Sequence, residues 1–278
     1  MINKNTFLEK TINSNPNNLY TNEYLEQSIR KGSEVPQRYL LNFSLTSHDI
    51  INKIIDGKDN IKYLEIGVDE GYTFDNVQAT LKHGVDPYGG SQNITHRMSS
   101  QEFFTFNKYF WKNTYDVIFI DALHLADIIL KEVEECLSIL NPGGVILFHD
   151  VVPVKESAQI ICERDYNNFL KEKINLQKNK SFNEYCKQYG WVGYNGDCWK
   201  VMAHLRSNTN YFISSFPEAC IGILSLTYNK DEQFSKPENP ENEIYDWDYY
   251  LKNIDSILNP VISFEELSDI LSLTDTHK

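Results

Sequence analysis

Two glycines four residues apart, in the stretch LEIGVDEGYTF, follow a short apolar run and precede a segment that reads as a helix. Glu65 ends the run, Gly67 and Gly71 bracket a turn, and Tyr72 with Thr73 enters the helix. Glycines let the backbone approach a ligand closely and leave amides exposed at a helix N-terminus, where a carboxylate or phosphate is stabilised. The spacing is not the G-x-G-x-x-G of dinucleotide enzymes, because Glu65 stands at the first glycine. Such a pair alone also fits a plain tight turn. Asp86, in HGVDPY, ends the next apolar run. An ionised carboxylate there can accept hydrogen bonds from both hydroxyls of a ribose, which points to a nucleoside; an Asp before Pro also serves as a turn former. Further on, FIDALH and LFHD bring Asp121 with His124, and His149 with Asp150, to the ends of two more apolar runs. Two aspartates ending adjacent strands could hold a divalent cation that lowers the pKa of a hydroxyl.

The elements that must carry these residues alternate in type. Between Lys62 and Asp150 the runs KYLEIGV, HGVDPY, YDVIFIDA and GVILFHD are separated by segments of helical periodicity, the βαβ pattern of a parallel sheet covered on both faces. Ile129, Val133, Cys136, Leu137 and Leu140 recur at helical spacing, with Lys131, Glu132, Glu134 and Glu135 expected on the outer side. Asn141-Pro142-Gly143-Gly144 should stop that helix and turn the chain into the next strand. YFISSF and CIGILSL read as an antiparallel pair at one edge of the sheet, and EELSDILSL as a closing helix. The organisation expected is a helical cap over residues 1–60, a core over 61–230 with an insertion at about 163–200, and an acidic C-terminal extension over 231–278.

The chain has 278 residues, enough for one large α/β domain with decorations. Its 26 Lys and Arg against 39 Asp and Glu give a net charge of −13, with no basic patch in the sequence, which argues against nucleic acid as a partner. The N-terminal stretch lacks an apolar signal region and no apolar run is long enough to span a bilayer, so a soluble cytoplasmic protein is expected. Five cysteines without C-x-x-C spacing read as reduced, buried thiols. A homo-oligomer is left open.

In LEIGVDEGYT, Asp86, MSSQEFF, FIDALH and LNPGGVILFHD, taken in that order, the chain resembles the class I S-adenosylmethionine-dependent methyltransferases over roughly residues 60–153. The resemblance implies a Rossmann-like α/β fold: a mostly parallel seven-stranded sheet with an antiparallel edge strand and helices on both faces. It implies S-adenosylmethionine as cofactor, with Glu65, Gly67, Gly71 and Thr73 around its methionine part and Tyr72 beside them. By the same resemblance Asp86 would hold the ribose, Ser99, Ser100 and Gln101 the adenine, and Asp121 would border the cofactor as well as the chemistry.

Methyl transfer to a hydroxyl requires an aligned acceptor and removal of its proton, by groups at the carboxyl ends of the strands. Asp121, His124, His149 and Asp150 occupy those positions. The arrangement resembles the catechol-type O-methyltransferases and the O-methyltransferases acting on sugars of macrolides, glycans and related natural products. In both, the acids matching Asp121 and Asp150 bind magnesium. This chain has Val151 where the catechol type has an Asn and His149 where the macrolide-sugar type has an acid, so Mg2+ or Mn2+, a softer metal, or no metal all stay open. In the sugar-modifying relatives a histidine at the step of His124 is the general base; a helix-start histidine bonded to backbone is the plain alternative. His149 has the same two readings. NGDCWK resembles a signature of bacterial methyltransferases of glycan and secondary-metabolite pathways, in which Asp197, Trp199 and Lys200 would flank the acceptor, with Tyr189, Trp191 and Tyr194 nearby. A turn with a buried Trp fits the same residues. The expected activity is O-methylation of a sugar hydroxyl, on a nucleotide-linked or phosphorylated sugar, in surface polysaccharide or glycan biosynthesis. The alternatives are a small phenolic or natural-product hydroxyl or amine as acceptor, and a non-catalytic nucleoside-binding module.

Overall fold

Four of the apolar runs pair side by side in parallel: β1 (Lys62–Ile66), β2 (Leu81–Val85), β3 (Tyr115–Ile120) and β4 (Leu140–Phe148). In this computed structural model, residues 33–39, 45–160, 194–226, 236–237 and 245–271 are described. Two further strands, β5 (Phe212–Phe216) and β6 (Ile221–Ser225), form the expected antiparallel pair, with β6 antiparallel to β4, giving the order β2-β1-β3-β4-β6-β5. The chain leaves β1 for β2 on one side and returns to β3 on the other, so the strand order reverses at β1 and opens a crevice at the carboxyl ends of β1 and β3. Among the described residues the sheet has six strands, not the expected seven. On the free edge of β2 there is a single parallel bridge, Val85 to His96. Pro87 and the glycines that follow it keep the intervening chain in turns, so pairing there does not extend into a ladder.

Side chains alternate across the sheet with period two. Leu64, Ile66, Ile118, Ile120, Ile146 and Phe148 enter one core, and Tyr63, Val117, Phe119, Val145 and Leu147 the other. The second core is closed by α1 (Ser47–Ile55), whose Ile50, Ile51, Ile54 and Ile55 all point inward, stabilising it by roughly 1.5–3 kcal/mol each before entropy is counted. Thr46 and Asp49 start this helix with a reciprocal capping box, a device good for about 1 kcal/mol. The short helix α2 (Tyr72–Asn76) follows the glycine turn, and α3 (Ser100–Phe106) follows the second strand's long loop. The crossover helix α4 (Ala126–Ile139) packs Ile129, Val133 and Cys136 into the first core, as its periodicity requires.

Two expectations about this region are corrected. Glu132 is buried, not solvated: it lies one turn from both Ile129 and Cys136, on the face turned toward α3 and Ser100, and burial pushes its carboxyl up to about 7. Asn141-Pro142-Gly143-Gly144 is not a separate turn but the irregular first half of β4. The register jumps from Tyr115 opposite Leu140 to Val117 opposite Val145, and Gly143 takes φ +81° to absorb the extra residues.

After the segment 161–193, which lies outside the described residues together with Cys162, Cys186, Tyr189 and Trp191, the chain re-enters as α5 (Trp199–Asn208). α6 (Trp247–Leu258) packs on the first core and the short α7 (Leu267–Ile270) on the second, beside α1. Most of the acidic stretch from 227 to 244 is likewise outside the described residues. Cys136, Cys198 and Cys220 are free and buried. No helix among the described residues is long and apolar enough to cross a membrane.

Candidate active site

Strand register brings the crevice residues together. Ile66 is opposite Ile120, and Ile120 opposite Phe148, so Gly67, Asp121 and His149 leave three neighbouring strands side by side. Backbone bonds from Gly67 N to Val85 O (2.9 Å), Asp121 N to Ile66 O (2.8 Å) and His149 N to Ile120 O (3.0 Å) carry the pairing one residue beyond the strands. Gly67 is glycine for two reasons: its φ is +90°, and a Cβ there would lie 2.2 Å from the carbonyl oxygen of Asp121. Gly71, at φ +85°, caps α2 and leaves no room for a Cβ, which would meet Ser91 Oγ at 2.6 Å.

Asp86 ties this turn to the loop after β2. Its Oδ2 accepts from Asp69 N at 2.9 Å, and its Oδ1 from Tyr88 N at 2.8 Å and Gly89 N at 2.7 Å. The turn-forming role is therefore realised. An ionised carboxylate has about four acceptor positions, so after three amides it retains capacity for about one ligand hydroxyl, fewer than the two expected. Glu65 is 1% exposed and accepts from Tyr63 OH at 2.5 Å; burial pushes its carboxyl well above the usual range, so it presents no open carboxylate to the crevice. Tyr72 is exposed and meets His48 edge to face, and Thr73 lies in the first turn of α2. Ser99 caps α3 through a capping box with Glu102, Ser100 stands beside buried Glu132, and Gln101 is exposed.

Asp121, His124, His149 and Asp150 converge at the mouth of β3 and β4. His124 Nδ1 lies 3.2 Å from Asp150 Oδ2 and its Nε2 3.5 Å from Asp121 Oδ1. His149 Nδ1 lies 3.4 Å from Asp121 Oδ1 and 3.5 Å from Asp150 Oδ1. Burial disfavours charge on His149, but the two aspartates outweigh it and push the ring up to about 10. His124 is raised for the same reason, Asp150 and Asp121 prevailing over burial. Burial also opposes ionisation of Asp121, yet His149 and His124 hold its carboxyl well below the usual carboxylate range. For Asp150 burial wins and raises the carboxyl despite both histidines.

Asp121, His124 and Asp150 each place a ligand atom within 4.8 Å of the others. Nδ1 of His124 and Nδ1 of His149 are buried, and the carboxylate oxygens beside them are placed for ion pairs and not for well-formed hydrogen bonds. Two carboxylates with an imidazole nitrogen fit a divalent cation, and this donor set suits Mn2+, Fe2+ or Zn2+ better than Mg2+.

The NGDCWK residues reach the centre differently from the expectation. Gly196, at φ +56°, packs against the backbone of His124, and Asp197 N donates to His124 O at 3.2 Å. Asp197 Oδ1 accepts from Ala126 N at 2.7 Å, capping the start of α4, while its Oδ2 lies 3.2 Å from Lys200 Nζ. Trp199 is fully buried, stacked on Tyr249 and against Tyr250, with its Nε1 donating to Gln159 Oε1 at 2.9 Å. Its ring is thus core, with no face free for a sugar. Tyr194 stacks on the His124 ring at 5.1 Å. Asn195, which the sequence did not single out, is buried and donates from Nδ2 to Asp150 Oδ1 at 2.9 Å. Its position directly before Gly-Asp was the available signal, but an Asn before Gly reads first as a turn.

Residues 64–151 match a family model described as a methyltransferase domain. No curated protein sequence is significantly similar to the chain. Among solved structures, an O-methyltransferase from Bacillus cereus in complex with SAH is 12% identical, covering 79% of this chain and 97% of that one, at a TM-score of 0.38. The O-methyltransferase TomG from Streptomyces achromogenes, involved in tomaymycin synthesis and in complex with SAM, is 11% identical over 82% of this chain and 100% of its own, at 0.41. Likenesses this loose carry no argument about the reaction. The matched segment runs from β1 to the residue after Asp150, and so takes in the glycine turn, Asp86 and the acid–histidine centre. The stretch that carries the glycine turn and the acid–histidine centre is thus similar to a methyltransferase domain.

Proposed function

We propose that the enzyme methylates a hydroxyl oxygen, on a sugar that is nucleotide-linked or phosphorylated, in glycan or surface polysaccharide biosynthesis. The observation that carries the hydroxyl reading is the His124 ring set between Asp121 and Asp150, with Nε2 at 3.5 Å from one carboxylate and Nδ1 at 3.2 Å from the other. A hydroxyl must lose a proton as its oxygen is methylated, and this centre is built to hold one. The sugar reading rests on the resemblance of NGDCWK to glycan-pathway methyltransferases.

S-adenosylmethionine, when bound, supplies a methyl group on a positively charged sulfur. The backbone of Gly67 and Gly71, the carboxylate of Asp86 and the first turn of α3 would hold it against the crevice. His124 Nε2 faces Asp121 at 3.5 Å, and with the ring proton on that nitrogen the lone pair is on Nδ1. Nδ1 takes the acceptor proton, and Asp150 Oδ2, 3.2 Å away, stabilises the imidazolium that results. A divalent cation held by Asp121, His124 and Asp150 would lower the pKa of the hydroxyl instead. Nδ1 has one lone pair and can serve only one of these roles. Tyr194, stacked on His124, would form the aromatic wall on the acceptor side.

The test is transfer of labelled methyl from S-adenosylmethionine to a panel of free sugars, sugar phosphates, nucleotide sugars, catechols and amines. Label appearing only on sugar hydroxyls supports the reading. Label on phenols or amines alone moves the acceptor class, and binding of cofactor with no methylation anywhere favours a nucleoside-binding module.

A further inference from the structure

The two oxygens of Asp150 have different surroundings. Oδ1 accepts from Asn195 Nδ2 at 2.9 Å, while Oδ2 lies 3.2 Å from His124 Nδ1. Asp150 itself leaves β4 in the left-handed region, at φ +62°, and is buried. Asn195 is 7% exposed, and its place is fixed independently of Asp150: its N donates to Ala158 O at 2.8 Å and its Nδ2 also reaches Cys220 Sγ at 3.3 Å. The next residue, Gly196, packs on the His124 backbone. One turn thus grips His124 through its main chain and Asp150 through a side chain.

We infer that Asn195 is a positioning residue of the acid–histidine centre: by holding Oδ1 of Asp150 it sets the rotation of that carboxylate so that Oδ2 faces His124. The inference rests on the reading of this centre as the one that handles the acceptor proton or a cation. A carboxamide suits the task because it donates at every pH and adds no charge. An acid in its place would put another negative charge beside Asp121 and Asp150, and an apolar residue would leave Oδ1 without its amide donor. Without that donor only the longer approach of His149 Nδ1, at 3.5 Å, remains beside Oδ1 to set the rotation of the carboxylate. The amide orientation follows from its partners, since the flipped form would set its oxygen against the carboxylate.

The experiment titrates Mn2+ into wild type, Asn195→Ala and Asn195→Leu in the presence of S-adenosylhomocysteine, reading free Mn2+ by electron paramagnetic resonance. Asn195→Leu keeps much of the buried volume and removes the donor. In both variants the Mn2+ dissociation constant should rise about tenfold, the usual effect of losing a partner that orients a ligand, while S-adenosylhomocysteine affinity stays within about twofold. Unchanged Mn2+ affinity in the folded variants overturns the inference. If wild type binds no Mn2+, the cation alternative for this centre fails separately, and the ring nitrogen resonances of His124 decide the matter. They are assigned by their loss in His124→Gln. They should move in Asn195→Leu, and identical resonances in wild type and variant overturn the inference.

Discussion

A Cβ added to Gly196 would lie 1.9 Å from the carbonyl oxygen of His124, closer than any non-bonded contact allows. Gly196 also takes φ +56°, where an L side chain is strained. Gly196→Ala must therefore move either its own turn or His124. We expect a stability loss of about 1–3 kcal/mol and a fall in turnover larger than the fall in S-adenosylhomocysteine affinity. Denaturant melts, calorimetry and kcat on the same preparation check it; wild-type turnover would show that the turn does not position His124.

Replacing His124 tests the chemistry directly. His124→Ala should lower kcat by roughly 10²–10⁴ with cofactor affinity nearly unchanged. His124→Gln keeps a hydrogen-bonding side chain but offers no base of comparable strength. Near wild-type single-turnover rates in the Gln variant would falsify the role assigned to Nδ1.

Chelation separates the two roles open to that nitrogen. If Asp121, His124 and Asp150 hold a cation, exhaustive treatment with EDTA should abolish turnover, and Mn2+ should restore it better than Mg2+. Activity that survives with metal content below one per hundred molecules leaves His124 as the base. Its raised pKa then shifts the rising limb of kcat against pH above 6.5, because the base must first lose its proton.

Stability of the cation-free protein should depend on His149. Its folded value, about 10, lies above the ordinary 6.5, so its contribution is fully present below 6.5 and is lost as pH rises through about 10. Asp121 acts in the opposite sense: its contribution is present above its ordinary 3.8 and is lost as pH falls through its lowered value. Urea unfolding between pH 6 and 10.5 should show an alkaline loss on the order of a few kcal/mol that is absent in His149→Asn. Parallel stability curves for the two proteins would rule out His149 as the source.

Asp86 should show a mixed phenotype. Asp86→Ala removes the acceptor for the amides of Asp69, Tyr88 and Gly89 as well as any bond to the ribose. A loss of roughly 1–3 kcal/mol in S-adenosylhomocysteine affinity is expected, together with faster amide exchange at Tyr88 and Gly89. If calorimetry finds wild-type affinity while the loop loosens, Asp86 is a loop brace alone.

Much of this molecule is written in local pattern. Short, near-continuous apolar runs flanked by turn residues specify the parallel strands buried on both faces, and period 3.6 over Ile129, Val133 and Cys136 specifies the crossover helix, because which faces are buried follows from the backbone repeat. The same logic places Asp121 and Asp150 at strand ends, and therefore at the crevice. What the repeat cannot specify is which distant segment meets which. Glu132 reads as solvated until α3 lies on it, and Trp199 reads as a platform until α6 brings Tyr249 and Tyr250 against its ring. Asp197 reads as an acceptor ligand until Ala126, far upstream, donates to it. Asn195 gained its meaning only through Asp150, which lies 45 residues earlier, just past the end of β4. These contacts depend on long-range packing, in which the partner's position is set by the whole fold and not by the residues on either side, and so only the tertiary structure decided them.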